Sequence, residues 1–242
     1  MRVFGMRYVV VYIASLEKRG IFMQIDAKKF DLIARNVFAP AYSLLAEQIL
    51  HRTGIISGLC LDLGSGGGYL GLALAWNSKL RVCLLDESEE MKTIAEQNIF
   101  EKRLDNRVVA LCGDVHYLPI KNNSVDLVVS RGSAYFWEDL PQVLREIWRV
   151  LAPGGQVCIG GGFGSKALKD EIVSKMRQTE PDWQPRCGKF EDARFYDALK
   201  LAGIPDAELL KDESGTWLTF KKPFEYLLER MAGNYATACD YK

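Results

Sequence analysis

The feature that most constrains this chain is an apolar run that breaks into a cluster of glycines and resumes as an apolar helix. Leu59 to Leu63 has the length and character of a buried strand, with Asp62 set inside it. Gly64-Ser65-Gly66-Gly67-Gly68 follows, then Tyr69-Leu70-Gly71 and an apolar stretch to Trp76. Strand, glycine turn and helix in that order form the layout of a nucleotide-binding βαβ unit. Glycine suits the turn because it reaches positive φ without a steric penalty. With no Cβ, it also lets a ligand come close to the backbone. The helix start adds free N–H groups and a positive dipole end, which suit an anionic group.

Two readings of the glycines compete. Gly66 to Gly71 fits G-x-G-x-x-G, the dinucleotide fingerprint, whereas Gly64 to Gly68 fits G-x-G-x-G with an acid, Asp62, just ahead of it. A carboxylate at the ligand-facing end of the strand repels a pyrophosphate and attracts a cation. Asp62 therefore favours a ligand with an amino group or a sulfonium over NAD.

The rest of the chain repeats the alternation. A strand over 81–85 ends at Asp86, with Ser88 as the N-cap of a helix reaching about Arg103. A strand over 108–112 ends at Gly113-Asp114, and one over 125–130 ends at Ser130-Arg131-Gly132. A helix over 138–151 stops at Pro153-Gly154-Gly155, ahead of a strand over 156–160. Helices over 166–177 and 190–201 precede short strands 208–212 and 217–221, joined tightly enough to pair as an antiparallel hairpin. Ahead of all this, residues 26–52 carry helical spacing that Pro40 interrupts, giving two short helices able to lie over a ligand. The pattern predicts a doubly wound α/β domain: a mostly parallel seven-stranded sheet, antiparallel at its C-terminal end, with helices on both faces. Acids or glycines end the parallel strands, at the edge where open α/β sheets bind ligands.

The 242 residues suit one domain, read as 23–223, with an extension over 1–22 and a tail over 224–242. Lys plus Arg and Asp plus Glu each number 31, so the formal charge is zero and speaks against a nucleic-acid partner. Six cysteines without a C-x-x-C pair, most of them in apolar runs, read as core thiols in a reducing, cytoplasmic setting. Two histidines do not make a histidine-rich metal site, and no metal is expected. Tyr8 to Ala14 is too short for a membrane span.

Four motifs, in order, carry a family resemblance: Asp62-Leu63-Gly64-Ser65-Gly66-Gly67-Gly68, Asp86, Gly113-Asp114-Val115, and Leu144 to Gly155 leading into the fifth strand. Over roughly residues 55–162 the chain resembles the class I S-adenosylmethionine-dependent methyltransferases, and within them the small-molecule enzymes that include the menaquinone/ubiquinone-biosynthesis C-methyltransferases. The resemblance implies S-adenosylmethionine as cofactor, S-adenosylhomocysteine as product and a small-molecule acceptor. It implies that Gly64, Gly66 and Gly68 cradle the methionine part and that Asp62 orients its amino group. It implies that Asp86 holds the ribose, that Asp114 and Val115 meet the adenine, and that Met91 lines that side. Ser130 falls near the methionine end. Ser65, Glu87 and Gly113 belong to the same stretch.

Outside the cofactor motifs, Arg131 stands out as able to bind a substrate carboxylate or phosphate, or to pair with Glu138 or Asp139. Tyr135 is a candidate substrate wall. His116 and Tyr135 are the candidate bases should the acceptor need one. Gly160-Gly161-Gly162 departs from the usual fifth-strand ending and suggests room for a bulky substrate. Two other readings stay open: an NAD-dependent oxidoreductase, and a non-catalytic cofactor-binding partner subunit. The acceptor and the oligomeric state are not legible in the sequence.

Overall fold

The computed structural model describes residues 26–185 and 192–224. The expected extension over 1–22, the start of the helix expected over 190–201, and the tail beyond Phe224 lie outside the described residues. The first helix, α1 (Ala27–Ile33), is capped by Asp26, whose side chain accepts from Lys29 N at 3.1 Å. It runs through a π-helical turn, Ala34–Phe38, straight into α2 (Ala39–Thr53), which Gly54 closes at φ +67°. The expected break at Pro40 is thus a change of helix type. Pro40 lies in the first turn of α2. There a missing N–H costs little, and the widened turn before it accommodates the ring.

Next come β1 (Ser57–Leu63), α3 (Tyr69–Trp76), β2 (Lys79–Asp86), α4 (Glu89–Glu101), β3 (Val108–Cys112) and β4 (Val125–Arg131). After them run α5 (Leu140–Val150), β5 (Leu151–Gly162), α6 (Lys166–Thr179), α7 (Asp192–Ala202), β6 (Glu208–Asp212) and β7 (Gly215–Lys221). The seven strands form one sheet in the order β3-β2-β1-β4-β5-β7-β6. The first five pair in parallel; β7 pairs antiparallel with both β5 and β6. Strand order reverses between β1 and β4, and ligand crevices open at such a switch point, beyond the strands' carboxyl ends.

The two-residue period of the strands divides the core. Leu61, Leu63, Leu85, Val128 and Ile159 face the layer holding α5 and α7. Cys60, Val82, Leu84, Leu127 and Val129 face the layer of α2, α3 and α4. Asp62 follows the parity of Cys60 and so points toward α3. Alternation thus sends a single acid into the helix layer that carries the glycine turn.

The strand that most exceeds its expected length is β5. β5 begins at Leu151, so Pro153-Gly154-Gly155 belongs to the strand rather than to a helix stop. The reason is a partner the sequence hides: Gly154 N donates to Lys222 O at 2.7 Å, and Lys222 N donates to Gly155 O at 3.0 Å.

Candidate active site

The glycine loop leaves β1 beside the end of β2. Gly64, at φ +61°, tolerates no Cβ, because that atom would lie 2.4 Å from the Ser133 side chain. Gly68, at φ +83°, would meet Leu84 at 2.4 Å. Side chains here would lift the loop off the sheet. Backbone bonds hold it down: Ser65 N to Leu85 O at 3.1 Å, and Gly68 N to Ser65 O at 2.9 Å.

Two carboxylates flank the loop. Asp62 is 2 % exposed, and its Oδ2 accepts from Gly71 N, at the start of α3, at 2.9 Å. Burial pushes its pKa up from 3.8 to about 7; the Gly71 N–H opposes the rise and the nearby Asp86 charge adds to it. Asp86 accepts from Gly66 N at 2.8 Å through Oδ2 and from Ser88 N at 3.1 Å through Oδ1. Ser88 caps α4, its hydroxyl accepting from Met91 N at 3.2 Å. The buried Met91 reaches the same loop, its sulfur 4.0 Å from where a Gly66 Cβ would stand.

The end of β3 closes this side. Gly113 N donates to Asp86 O at 2.9 Å. Asp114 receives the backbone N–H of His116 at 2.8 Å and faces its ring Nδ1 at 2.5 Å. Despite some opposing burial, these bonds hold the Asp114 carboxyl below its ordinary value. Val115 packs against the core. Glu87 is exposed and its carbonyl accepts from Cys112 Sγ.

Across the crevice, the fully buried Ser130 shares a 2.6 Å bond with Ser133, whose hydroxyl donates to Leu63 O at 2.9 Å. Arg131 turns the other way. Its Nε and Nη2 both donate to Gly162 O, at 3.2 and 3.0 Å, so it pairs with neither Glu138 nor Asp139. Tyr135 lies over β5, its hydroxyl 2.7 Å from where a Gly161 Cβ would be. Cβ atoms at Gly160 and Gly162 would run into Thr216 O and Ser214 O, at 2.0 and 1.8 Å. The glycine run therefore serves the close approach of Tyr135 and the β6–β7 hairpin. It does not leave the open space that the sequence suggested for a substrate.

Comparison with known proteins bears on this geometry. Residues 61–159 match the family model described as a methyltransferase domain. The chain is 33% identical over 226 residues to malonyl-[acyl-carrier protein] O-methyltransferase of Halorhodospira halophila, spanning 90% of this chain and 72% of that one. The chain belongs to the S-adenosylmethionine-dependent methyltransferases. A solved structure from Methanococcus maripaludis, assigned to the same class, is 42% identical, with a TM-score of 0.78 over 81% of this chain and 92% of that one. The mitochondrial arginine-hydroxylase NDUFAF5 of Mus musculus is 30% identical over 171 residues; the match takes in 68% of this chain but only 45% of that relative.

The methyltransferase site fits S-adenosylmethionine. Its glycine loop lies at the carboxyl ends of β1 and β2, with Asp86 bonded to its backbone and Asp62 to the start of α3. The structure ties Ser65 to Gly68, Gly66 to Asp86 and Met91, and Asp86 to Gly113, with Asp62 bonded to Gly71 behind the loop. It does not bring His116 and Tyr135 together. His116 is held on Asp114 at the end of β3, whereas Tyr135 lies over β5, on the far side of the switch point.

The sequence shows helices over 26–52 able to lie over a ligand, but not the side-chain contacts that hold α1 over the loop as a roof. Asp31 of α1 receives the Tyr69 hydroxyl at 2.5 Å. Arg35 donates to Asn98 Oδ1 at 2.6 Å and to Glu101 at 3.1 Å, and the buried Asn98 donates back to Gly67 O at 2.9 Å. Asn98 thereby ties the roof to the glycine loop. Its only sequence signal is a polar residue on the inward stripe of α4, between Ala95 and Ile99. Replacing Asn98 by Ala strands Gly67 O in a buried setting and should destabilise the protein by about 1–3 kcal/mol, measured by urea unfolding. An unchanged midpoint would remove this link.

Proposed function

We propose that the protein methylates a small-molecule acceptor by direct in-line transfer. The observation that carries this reading is the convergence of Asp62, the Gly64–Gly68 loop and Asp86 at the carboxyl ends of β1 and β2. In this reading Asp62 takes the ammonium group of the cofactor. Gly64, Gly66 and Gly68 give its methionine part close access to backbone, and Asp86 takes the ribose hydroxyls. Asp114 and Val115 serve the adenine, and Ser130 and Ser133 shape the methionine end. When bound, S-adenosylmethionine supplies an activated methyl on a sulfonium. The protein's part is to position the acceptor and exclude water. Should the acceptor need to lose a proton, Tyr135 is the candidate on the β4–β5 side, and His116 is held at the opposite end.

The reading includes a cytoplasmic protein with no nucleic-acid partner, supported by the even charge count and by four free thiols among the described residues. No helix among the described residues is long and apolar enough to cross a membrane. The relatives named above act on a malonyl-acyl carrier protein and on arginine, so names alone do not choose an acceptor.

The test is methyl transfer from labelled S-adenosylmethionine into a native cell extract, separated into small-molecule, protein and nucleic-acid fractions. Label in small molecules above the no-enzyme control is the expected result. Label in protein or nucleic acid would overturn the acceptor class. S-adenosylhomocysteine binding without label in any fraction would favour the non-catalytic subunit.

A further inference from the structure

Arg131 is a cation enclosed by aromatic rings. Its guanidinium carbon lies over Phe38 at 5.0 Å, Tyr42 at 5.2 Å and Phe163 at 5.4 Å from the ring centroids. These rings come from three places: the π-helical turn, α2, and the residue after β5. Phe38 and Phe163 also stack on each other at 6.0 Å, and Trp183 flanks Phe38 at 6.3 Å. Phe163 and Tyr42 are buried. Among the described residues no ion pair joins Arg131 to a carboxylate, and one carbonyl, Gly162 O, takes two of its N–H groups.

A guanidinium has five N–H donors in a fixed planar fork. Here Gly162 O takes the Nε–Nη2 edge and the Tyr42 hydroxyl also meets the guanidinium, two neutral acceptors for five N–H donors. The aromatic faces favour a cation, and Gly162 O and the Tyr42 hydroxyl accept from it, but none of them supplies a counter-charge. A partly desolvated cation is stabilised most by an anion, and a carboxylate matches a guanidinium fork with two parallel bonds. Sheet position bears on whose carboxylate it is: Arg131 follows Ser130 at the methionine end of the site and reaches past it toward β5. The cofactor-side motifs end β1, β2 and β3; Arg131 ends β4 and is held against the end of β5, across the switch point.

We infer that Arg131, in its cage of Phe38, Tyr42 and Phe163, is the recognition site for a carboxylate on the methyl acceptor. The inference rests on the methyltransferase reading and narrows its substrate class: an acceptor with an acid group next to an apolar or planar body. The π-helical turn gains a purpose in this assignment, because it delivers Phe38 to the cage from a helix that also roofs the glycine loop.

The test uses defined probes. In protein loaded with S-adenosylhomocysteine, benzoate and its neutral counterpart benzamide are titrated by ligand-detected NMR. Benzoate should bind at least tenfold more tightly than benzamide to the unaltered protein. Arg131→Met should abolish that preference. Arg131→Lys, which keeps the charge and loses the fork, should retain only part of it. Equal binding of the two probes, or a preference that survives Arg131→Met, overturns the inference. Calorimetry with S-adenosylhomocysteine is the second arm, and affinity should stay within twofold in both variants. A loss of tenfold or more, with 5′-methylthioadenosine binding unchanged, would assign Arg131 to the cofactor's own carboxylate and overturn the acceptor assignment. If the unaltered protein failed to bind S-adenosylhomocysteine, the methyltransferase reading itself would fall, whatever benzoate did.

Discussion

Asp86→Ala is expected to weaken S-adenosylhomocysteine binding by a factor of about a hundred to a thousand. The carboxylate is already in place before the ligand arrives, fixed by Gly66 N at 2.8 Å and Ser88 N at 3.1 Å. Each oxygen has two lone pairs, so both can accept a ribose hydroxyl without releasing the backbone. Hydrogen bonds to a charged group contribute about 1.5–3 kcal/mol each, and two of them give roughly 3–4 kcal/mol after non-additivity. The substitution also frees Gly66 N, which loosens the glycine loop. Asp86→Asn keeps one acceptor and should cost about tenfold, since a single charged bond is exchanged for a neutral one. Calorimetry measures both values, and a urea titration of the apoprotein separates loop loosening from ligand loss. An affinity within threefold of the unaltered protein would remove Asp86 from the ribose.

Much of this arrangement was legible because it follows from local rules. A lone acid inside an apolar strand marked Asp62 as the residue to watch ahead of the glycines, and the structure then turns it toward α3. The Ser88 cap, the strand ends at Asp86 and Cys112, and the antiparallel hairpin followed from spacing and turn chemistry. What stayed hidden depends on contacts between distant segments. Pro40 read as a break because the sequence does not announce a π-helical turn. β5 read as starting late because its early pairing depends on Lys222. That lysine is buried, with its ammonium donating to Asn123 Oδ1, Trp148 O and Leu151 O at 2.6–2.9 Å. A lysine after an apolar strand looks like a solvated end, and no local pattern reveals three waiting acceptors.

The site shows the same division. Gly64, Gly66, Gly68, Asp62 and Asp86 belong to short motifs whose spacing encodes their geometry. The roof and the cage do not. Asp31 meets Tyr69, Arg35 meets Asn98, and Arg131 meets Phe38 and Tyr42 only after α1 and α2 have folded across the carboxyl edge of the sheet. Arg131 was visible as an unusual residue, but its two sequence-level partners, Glu138 and Asp139, were the wrong ones. Asp139 caps α5 by accepting from Gln142 N at 3.1 Å. Nearness in sequence suggested an ion pair that the direction of the side chain rules out.

Cofactor affinity should also depend on pH through Asp62. In the apoprotein burial raises this carboxyl from 3.8 to about 7, so below neutrality it is mostly protonated. An ammonium ligand needs the charged form. Affinity for S-adenosylhomocysteine should therefore fall as pH drops below about 7, approaching tenfold per pH unit, and level off above it. At pH 6.5 binding should release protons into the buffer, which calorimetry in buffers of different ionisation heat detects directly. The apoprotein has the opposite dependence. Its folded form holds the Asp62 proton more tightly than the unfolded chain, so this group contributes stability below pH 4 that is lost as pH rises toward 7. Asp62→Asn isolates the effect, because it keeps an acceptor for Gly71 N but cannot ionise. The variant should bind more weakly at pH 8, with a profile that no longer changes between pH 5.5 and 8. A flat profile in the unaltered protein would mean that the ligand's ammonium does not rest on Asp62. The acid would then serve only to fix the start of α3, and the cation-binding reading of the glycine motif would lose its anchor.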